Sequence, residues 1–318
     1  MKLLAPFAAA LSLIGRHGTL ILAGSIFVGL ATPPLAATFK PYIGPSIVFM
    51  LILAFLRVEP AELRHHWTRP GLTIASVAWC MLVVPAVLCT LALTLGVGRR
   101  TPGLFLMLVL QLSAPGLISS PAVAALLGLD VALTLASLLL GAAIVPLTAG
   151  LFTHFFLGKA LISPLGFALK LFAIIAGSAL TAALIRGLAG RAFIEAQRER
   201  IDGLSVLAMA LFAIAAMDGI PAHIRADPLL VAGLIVLGFA LALGQIALTA
   251  LLFRPAGRAR ALAIGMIASS RNMGLMLTAT GFAVPDLAWL YFALAQFPIY
   301  LLPHLLKPLA RRLLQEPV

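Results

Sequence analysis

The chain has 318 residues, of which 62% are hydrophobic and only 10% are charged. A soluble domain is usually about half apolar and about a quarter charged, so this composition excludes an ordinary soluble protein. The apolar runs reach the roughly 20 residues that a helix needs to cross a bilayer, and they are continuous, unlike the alternating strands of a β-barrel. The sequence therefore predicts an all-α polytopic membrane protein.

The formal net charge of +12 is explained by where the basic residues fall along the chain. With both termini in the cytoplasm, most Lys and Arg residues lie on the inner side of the predicted spans, which is the positive-inside pattern. Contact with anionic membrane lipids accounts for this charge, and a nucleic-acid partner is not needed. We therefore expect an integral protein of a bacterial inner (cytoplasmic) membrane.

About ten transmembrane helices follow one another along the chain. The segment before the first span, through about residue 17, fits either a cleaved signal peptide or a short surface helix. The spans are predicted at 19–37, 41–56, 72–97, 103–126, 130–157, 164–189, 203–220, 228–253, 258–283 and 286–306.

The chain divides into two halves of five spans, 1–158 and 159–318, and polar residues interrupt the fourth span of each half. Because five is an odd number, the two halves would insert in opposite directions. Inverted repeats with interrupted helices at matching positions are typical of secondary transporters. We therefore predict a five-plus-five inverted repeat in which spans 4 and 9 are broken and cross near the midplane of the membrane.

The interruption in span 4 covers residues 113–121, within the stretch LQLSAPGLISSPAV. Pro115 removes a backbone donor and Gly116 adds conformational freedom. Freed backbone groups persist in a membrane only where they are buried in protein or line a wet cavity. A proline-kinked helix whose serines bond back to carbonyls is the structural alternative. The candidate substrate-binding residues of this region are Gln111, Ser119 and Ser120.

The interruption in span 9 reads SSRNMG, and it places Arg271 in an apolar segment. A buried arginine costs at least about 2.5–3.5 kcal/mol in a bilayer, so its charge needs a partner. Three arrangements are compatible with the sequence. The guanidinium is the counter-ion of an anionic substrate, or it replaces a sodium ion and bonds to carbonyls at the break, or it is paired structurally, for instance with Asp130. The neighbouring candidate substrate-binding residues are Ser269, Ser270 and Asn272.

The two motifs resemble those of the bile acid:sodium symporter family. The stretch SAPGLISSPAVAALLGLDVALTLA is similar to the family's fourth-span signature, and SRNMGL is similar to its ninth-span crossover. The ten-span layout agrees with the family over nearly the whole chain. The residues that carry the resemblance are Pro115, Gly116, Ser120, Asp130, Val131, Ala132, Leu133 and Thr134 in the first motif, and Asn272, Gly274 and Leu275 in the second.

The resemblance implies a core domain of spans 3–5 and 8–10 that moves against a panel domain of spans 1, 2, 6 and 7. It also implies that the protein transports organic anions. The ion-site remnants that it indicates are Ser120, Thr134 and Ser137.

The chain departs from the family at the positions of the sodium ligands. The family's glutamate five residues before the crossover asparagine corresponds to Ile267, and the glutamine just before that asparagine corresponds to Arg271. Sodium needs several oxygen ligands and usually a compensating carboxylate in so dry a place. These changes argue against sodium coupling. The further departures are Pro121 for an asparagine, Cys80 for a third-span glutamine and Leu138 for a threonine.

We therefore expect a secondary transporter that moves a small organic anion by alternating access, without a cofactor or a metal site. The predicted spans contain no paired aspartates, Ser/His pair or HExxH helix, which argues against an enzyme. His65 and His66, near Glu59 and Glu62, fit a solvated loop between spans. The alternatives are a sodium-coupled bile-acid-type symporter with relocated ion sites, and a channel or non-transporting membrane protein.

Overall fold

The computed structural model describes residues 11, 13–15, 18–58, 70–161 and 163–315. Across these ranges the chain is almost entirely helical, and seven helical segments are long and apolar enough to cross a membrane. The prediction of an all-α polytopic membrane protein is confirmed at this level. Most of the segment before the first predicted span lies outside the described residues, and so do His65 and His66 with their acidic neighbours.

The seven candidate spans account for predicted spans 2, 3, 5, 6, 7, 8 and 10. Spans 4 and 9 are each divided into two short helices. The predicted first span, 19–37, is wrong at its end because its helix stops at Ala31. Pro33 and Pro34 cannot donate to a continuing helix and instead begin the next one, which suits proline in a first turn.

The helices of the first half of the chain are α1 (Gly18–Ala31), α2 (Pro33–Phe39), α3 (Ile43–Leu56), α4 (Gly71–Ala78), α5 (Val84–Thr94), α6 (Val97–Arg100), α7 (Pro102–Ser113), α8 (Ser120–Leu127) and α9 (Val131–Leu161). A π-helical turn, Trp79–Val83, joins α4 to α5.

The helices of the second half are α10 (Pro164–Ala189), α11 (Arg191–Ala196), α12 (Arg198–Ala216), α13 (Ile220–Ala226), α14 (Pro228–Leu252), α15 (Arg258–Ser269), α16 (Met273–Thr280), α17 (Asp286–Leu294) and α18 (Gln296–Gln315).

The first of two compact units consists of Met1–Val58 and Ile174–Val231, and α1, α2 and α3 pack around α12 in it. Two ion pairs tie this packing together. Arg57 Nη1 lies 2.7 Å from Asp202 Oδ1, and Lys40 Nζ lies 2.8 Å from Asp218 Oδ2. The helices of this unit are thereby joined by polar contacts as well as by apolar packing.

The end of α3 is held by a second kind of contact within the same unit. The guanidinium of Arg186 donates to the carbonyl oxygens of Phe55 and Leu56, in the last turn of that helix. Carbonyls at a helix C-terminus have no partner inside the helix, and the helix dipole favours a cation there. Arg186 is thus a side-chain cap for α3.

The second compact unit consists of Glu59–Ala173 and Ala232–Val318. In it, α7 packs against α5, α9 and α17, while α15 packs against α8, α9 and α18. Leu133 on α9 joins Ile264, Ile267 and Ala268 on α15 in one apolar cluster with Cys80. The two helices that end at the interruptions, α7 and α15, are therefore core elements of this unit.

Gly29 gives a direct test of the packing between α1 and α12. A Cβ added at this position would lie 2.7 Å from the carbonyl oxygen of Ile214 and 2.9 Å from the Cβ of Met217. We expect Gly29→Ala to lower the free energy of unfolding by about 1–3 kcal/mol through overpacking. Gly24→Ala on the same helix is the control, because no atom lies within 4 Å of its added Cβ. Thermal unfolding in detergent measures both, and equal melting temperatures would contradict the packing.

Candidate functional site

The first interruption separates α7 from α8. Helix α7 ends at Ser113, and Ala114 is extended, with φ −68° and ψ 151°. Pro115 then removes the next backbone donor. Pro121 falls in the first turn of α8, where its missing N–H is not needed. The two prolines therefore act differently, since one helps to end a helix and the other helps to begin one.

The second interruption separates α15 from α16. Helix α15 ends at Ser269, and Ser270 is extended, with φ −99° and ψ 98°. Helix α16 begins at Met273, and Asn272 caps it, because its Oδ1 accepts a hydrogen bond from the N–H of Leu275 at 3.1 Å. Both interruptions that the sequence predicts are thus present.

The two extended segments pair with each other in an antiparallel bridge between Gly116 and Arg271. The N–H of Leu117 donates to the carbonyl of Ser270 at 2.9 Å, and the N–H of Asn272 donates to the carbonyl of Pro115 at 2.9 Å. Backbone groups freed by the interruptions are satisfied in this way without water, as a membrane interior requires. Gly116 allows the close approach, because a Cβ there would lie 3.1 Å from Cγ2 of Ile267.

Arg271 is buried in the same place, with only 1% of its surface exposed. Its Nε donates to the carbonyl oxygen of Ala268 at 2.7 Å, its Nη1 to that of Ala114 at 2.9 Å, and its Nη2 to that of Cys80 at 2.8 Å. Nη1 also lies 3.8 Å from the sulfur of Met81. The guanidinium therefore joins three separate elements of the unit. We call the three oxygen atoms, those of Cys80, Ala114 and Ala268, the carbonyl cage.

Each oxygen of the carbonyl cage lacks a helical donor for a local reason. Ala268 lies in the last turn of α15, and Ala114 lies just past the end of α7, so neither has a helical N–H four residues on. Cys80 lies in the π-helical turn, where the N–H of Val84 donates to the carbonyl of Trp79. The next bond in that pattern would need an N–H at Pro85, and proline has none.

The position of the guanidinium is electrostatically favourable. It lies against the carboxyl ends of both α7 and α15, where the two helix dipoles favour a positive charge. Hydrogen bonds with a charged partner contribute about 1.5–3 kcal/mol each, so three of them are comparable to the cost of burying the charge. Of the three arrangements that the sequence allows, the observed contacts are those of the second, in which carbonyls at the break hold the guanidinium.

Pairing between Arg271 and Asp130, the third arrangement, is not what the contacts show. Asp130 Oδ2 instead lies 3.3 Å from Nε of Arg260, and its Oδ1 accepts a hydrogen bond from the N–H of Leu133 at the start of α9. Asp130 therefore serves as an N-terminal cap and surface ion-pair partner.

The other predicted substrate-binding residues surround the crossing of the two segments. Ser119 and Ser120 stand at the start of α8, and the Oγ of Ser120 is buried without a hydrogen-bond partner in the described structure. The Oγ of Ser269 donates back to the carbonyl of Met266 at 3.1 Å. Ser270 is only partly buried. Gln111 lies on α7, and its Oε1 accepts a hydrogen bond from the Oη of Tyr291 at 2.8 Å.

The predicted ion-site remnants are separated into different local contacts. The Oγ1 of Thr134 donates to the carbonyl of Asp130 at 2.7 Å, and the Oγ of Ser137 lies 2.7 Å from the Oγ of Ser76 on α4. Ser120 is at the start of α8. Thr134 and Ser137 are therefore engaged within the protein, while the hydroxyl of Ser120 is not.

Sequence reasoning missed the acceptors of Arg271 and the partner of Gln111. The acceptors are main-chain oxygens, and no side-chain pattern marks them. A π-helical turn before Pro85 would have indicated the oxygen of Cys80, but no residue type encodes such a turn. Tyr291 is similarly hidden, since a tyrosine in an apolar helix reads as part of the core.

Comparison with known proteins finds no matching family model and no matching curated protein. The class that the fold defines is that of all-α polytopic membrane proteins. Within that class, the site is defined by two interrupted helices and a buried arginine that joins them.

The cap of α16 can be tested by itself. We expect Asn272→Ala to destabilise the protein by about 1 kcal/mol, because the N–H of Leu275 loses its acceptor. Asn272→Ser retains a capping oxygen and should lose less. The measurement is the melting temperature of purified protein in detergent, and the capping role fails if the alanine variant melts with the wild type.

Proposed function

We propose that the protein is a secondary transporter that moves a small organic anion by alternating access. The observation that carries this proposal is the antiparallel crossing of two interrupted helices, joined at their carboxyl ends by Arg271. Secondary transporters form their binding sites at such interruptions, where helix ends and unwound backbone are available to substrates and ions. A protein that only spans the membrane has no need of two such breaks.

The lengths of the elements support a five-plus-five inverted repeat, with halves at 1–158 and 159–318. Helices α7 and α15 both have 12 residues, and α8 and α16 both have 8. A glycine with positive φ follows each short helix, Gly128 at 72° and Gly281 at 69°. In the proposed ten-span layout, α7 with α8 is span 4, and α15 with α16 is span 9.

The contacts at the starts of α7 and α15 also support the inverted repeat. A Cβ added at Gly103, at the start of α7, would lie 3.2 Å from the Cβ of Pro285, just before α17. In the corresponding position, Arg260 near the start of α15 pairs with Asp130, just before α9. Each interrupted helix thus begins beside the helix that follows its partner. This reciprocal arrangement supports an inverted repeat, in which the two interrupted spans run in opposite directions through the same core.

The division into two compact units supports moving bodies of the kind that alternating access needs. Both interrupted helices belong to the unit of Glu59–Ala173 and Ala232–Val318, whereas α1, α2, α3 and α12 belong to the other. We propose that these units correspond to a core domain of spans 3–5 and 8–10 and a panel domain of spans 1, 2, 6 and 7.

Anion binding is proposed at the amino ends of α8 and α16. Helix amino ends carry the positive ends of the helix dipoles, which suit a carboxylate or sulfonate. The buried, unpartnered hydroxyl of Ser120 lies at one of these ends. The fixed charge of Arg271 adds a favourable potential for an anion. The residues proposed to contribute to the site are Gln111, Ser119, Ser120, Ser269, Ser270, Arg271 and Asn272.

We further propose that transport does not require sodium. The carboxyl ends of interrupted helices are where transporters of this architecture coordinate cations, and Arg271 already lies against both of them. A sodium ion bound nearby would be repelled by the guanidinium. The alternatives are sodium coupling through relocated sites, and a channel, whose pore would more often be lined by rings of polar or charged groups.

The test is uptake by purified protein in liposomes, with a panel of labelled organic anions and with or without an inward sodium gradient. We expect uptake that does not depend on sodium, and a fall of roughly tenfold or more in Arg271→Gln because a charged hydrogen-bonding group is lost. Arg260→Gln, on helix α15 that precedes Arg271, is the control, since its ion pair with Asp130 is at the surface. This variant should retain wild-type uptake.

The possible outcomes separate the alternatives. Uptake that requires sodium in the wild type would show that the coupling argument is wrong while leaving the carrier intact. Uptake that does not saturate with anion concentration would favour a channel. Absence of uptake for every anion in the panel, by protein that remains folded in the liposomes, would contradict organic-anion transport.

A further inference from the structure

The carbonyl cage has the composition of a cation-binding site. Its oxygens come from Cys80, Ala114 and Ala268, which lie on three elements that are distant in sequence. The oxygens converge within 2.7–2.9 Å of the guanidinium nitrogens. All three are neutral carbonyls that lack a helical donor, and two of them lie at the carboxyl ends of helices. Such ends carry partial negative charge, so the cage attracts a cation without a carboxylate.

The occupant of the cage belongs to the chain itself. Every hydrogen-bond partner of the Arg271 guanidinium in the described residues is a neutral oxygen or sulfur atom, so its charge is balanced by dipoles. The guanidinium presents its donors in a plane, and each nitrogen is used on a different carbonyl. An arrangement in which each of three oxygens matches one nitrogen of a planar group is more specific than a spherical ion or an ammonium group requires.

We propose that the carbonyl cage is a binding site for a planar guanidinium cation, occupied permanently by the side chain of Arg271. A chain that lacks this side chain would then present a vacant site. The vacant site would take a free alkylguanidinium ion in preference to an alkylammonium ion of the same charge and alkyl group. This inference concerns the cage alone, and it does not depend on whether the protein transports anions.

The small molecule that should fill the vacant cage is chosen to replace the atoms that the substitution Arg271→Ala removes. Arg271→Ala keeps Cβ and loses Cγ, Cδ and the guanidinium, which together correspond to ethylguanidinium. Ethylammonium has the same charge and alkyl group but lacks the planar set of donors. Truncation leaves three buried carbonyls without donors, so the variant should melt below the wild type. Binding of a ligand to the folded state then raises the melting temperature.

The experiment measures the melting temperature of Arg271→Ala in detergent across concentrations of ethylguanidinium, ethylammonium, sodium and potassium at constant ionic strength. We expect ethylguanidinium to raise it by on the order of 3 °C at about ten times its dissociation constant, with no comparable rise for the other cations. The wild type should not respond, because its cage is filled.

Arg186→Ala is the matched control variant. Arg186 also donates to main-chain carbonyls at the end of a helix, but it is only partly buried and lies in the other unit. Water can replace its guanidinium there, so ethylguanidinium should not stabilise this variant. A general effect of the additive on the protein would instead appear in Arg186→Ala and in the wild type alike.

If Arg271→Ala does not survive extraction, the readout becomes the yield of monodisperse protein when each cation is present throughout growth and purification. Recovery with ethylguanidinium but not with ethylammonium would support the proposal. Recovery with neither would overturn it, as would a melting temperature that rises equally with both or rises more with sodium. A rise of the same size in the wild type would also overturn it.

Discussion

An interrupted helix in apolar surroundings has no water to complete its hydrogen bonds, and this constraint governs the pairing of the two segments that separate α7 from α8 and α15 from α16. Each break frees carbonyls at one helix end and N–H groups at the next. The N–H groups of Leu117 and Asn272 are satisfied by the opposite segment, and that of Leu275 is satisfied by the side chain of Asn272. The carbonyls of Ala114 and Ala268 remain, and one arginine serves both. The breaks and the buried charge thus stabilise each other, because the carbonyls that the breaks free are the acceptors of the guanidinium.

The choice of arginine has a physical meaning beyond its charge. A guanidinium cannot lose its proton under biological conditions, and its three nitrogens can donate to three acceptors at fixed angles. A bound ion in the same place could exchange with solvent. A tethered cation stays with the chain, and its contribution to the electrostatics of the crossing is constant. A glutamine has only two side-chain N–H donors and would leave at least one cage oxygen unsatisfied, whereas a lysine would carry its three donors on one atom instead of in a planar fork.

Much of this organisation can be predicted from the sequence, and the remainder has a clear physical reason. Apolar runs indicate the helices, and Pro115 with Gly116 indicates the first break. The boundary of the first span is misjudged because the apolar run resumes at Leu35 after Pro33 and Pro34, whereas the helix ends at Ala31. The acceptors of Arg271 are hidden for a different reason. Every residue has a carbonyl, and which ones are free depends on helix ends and on a π-helical turn.

The crossing also sets an order of events during synthesis. Ala114 and Cys80 emerge 157 and 191 residues before Arg271, the residue that completes their hydrogen bonds. At about 5–20 residues per second, that interval is roughly 8 to 40 s. During this time the carbonyls of Ala114 and Cys80 lack the donor that they have in the complete protein. The hydrogen bonding of the amino-terminal half is therefore completed only when the second half supplies the guanidinium.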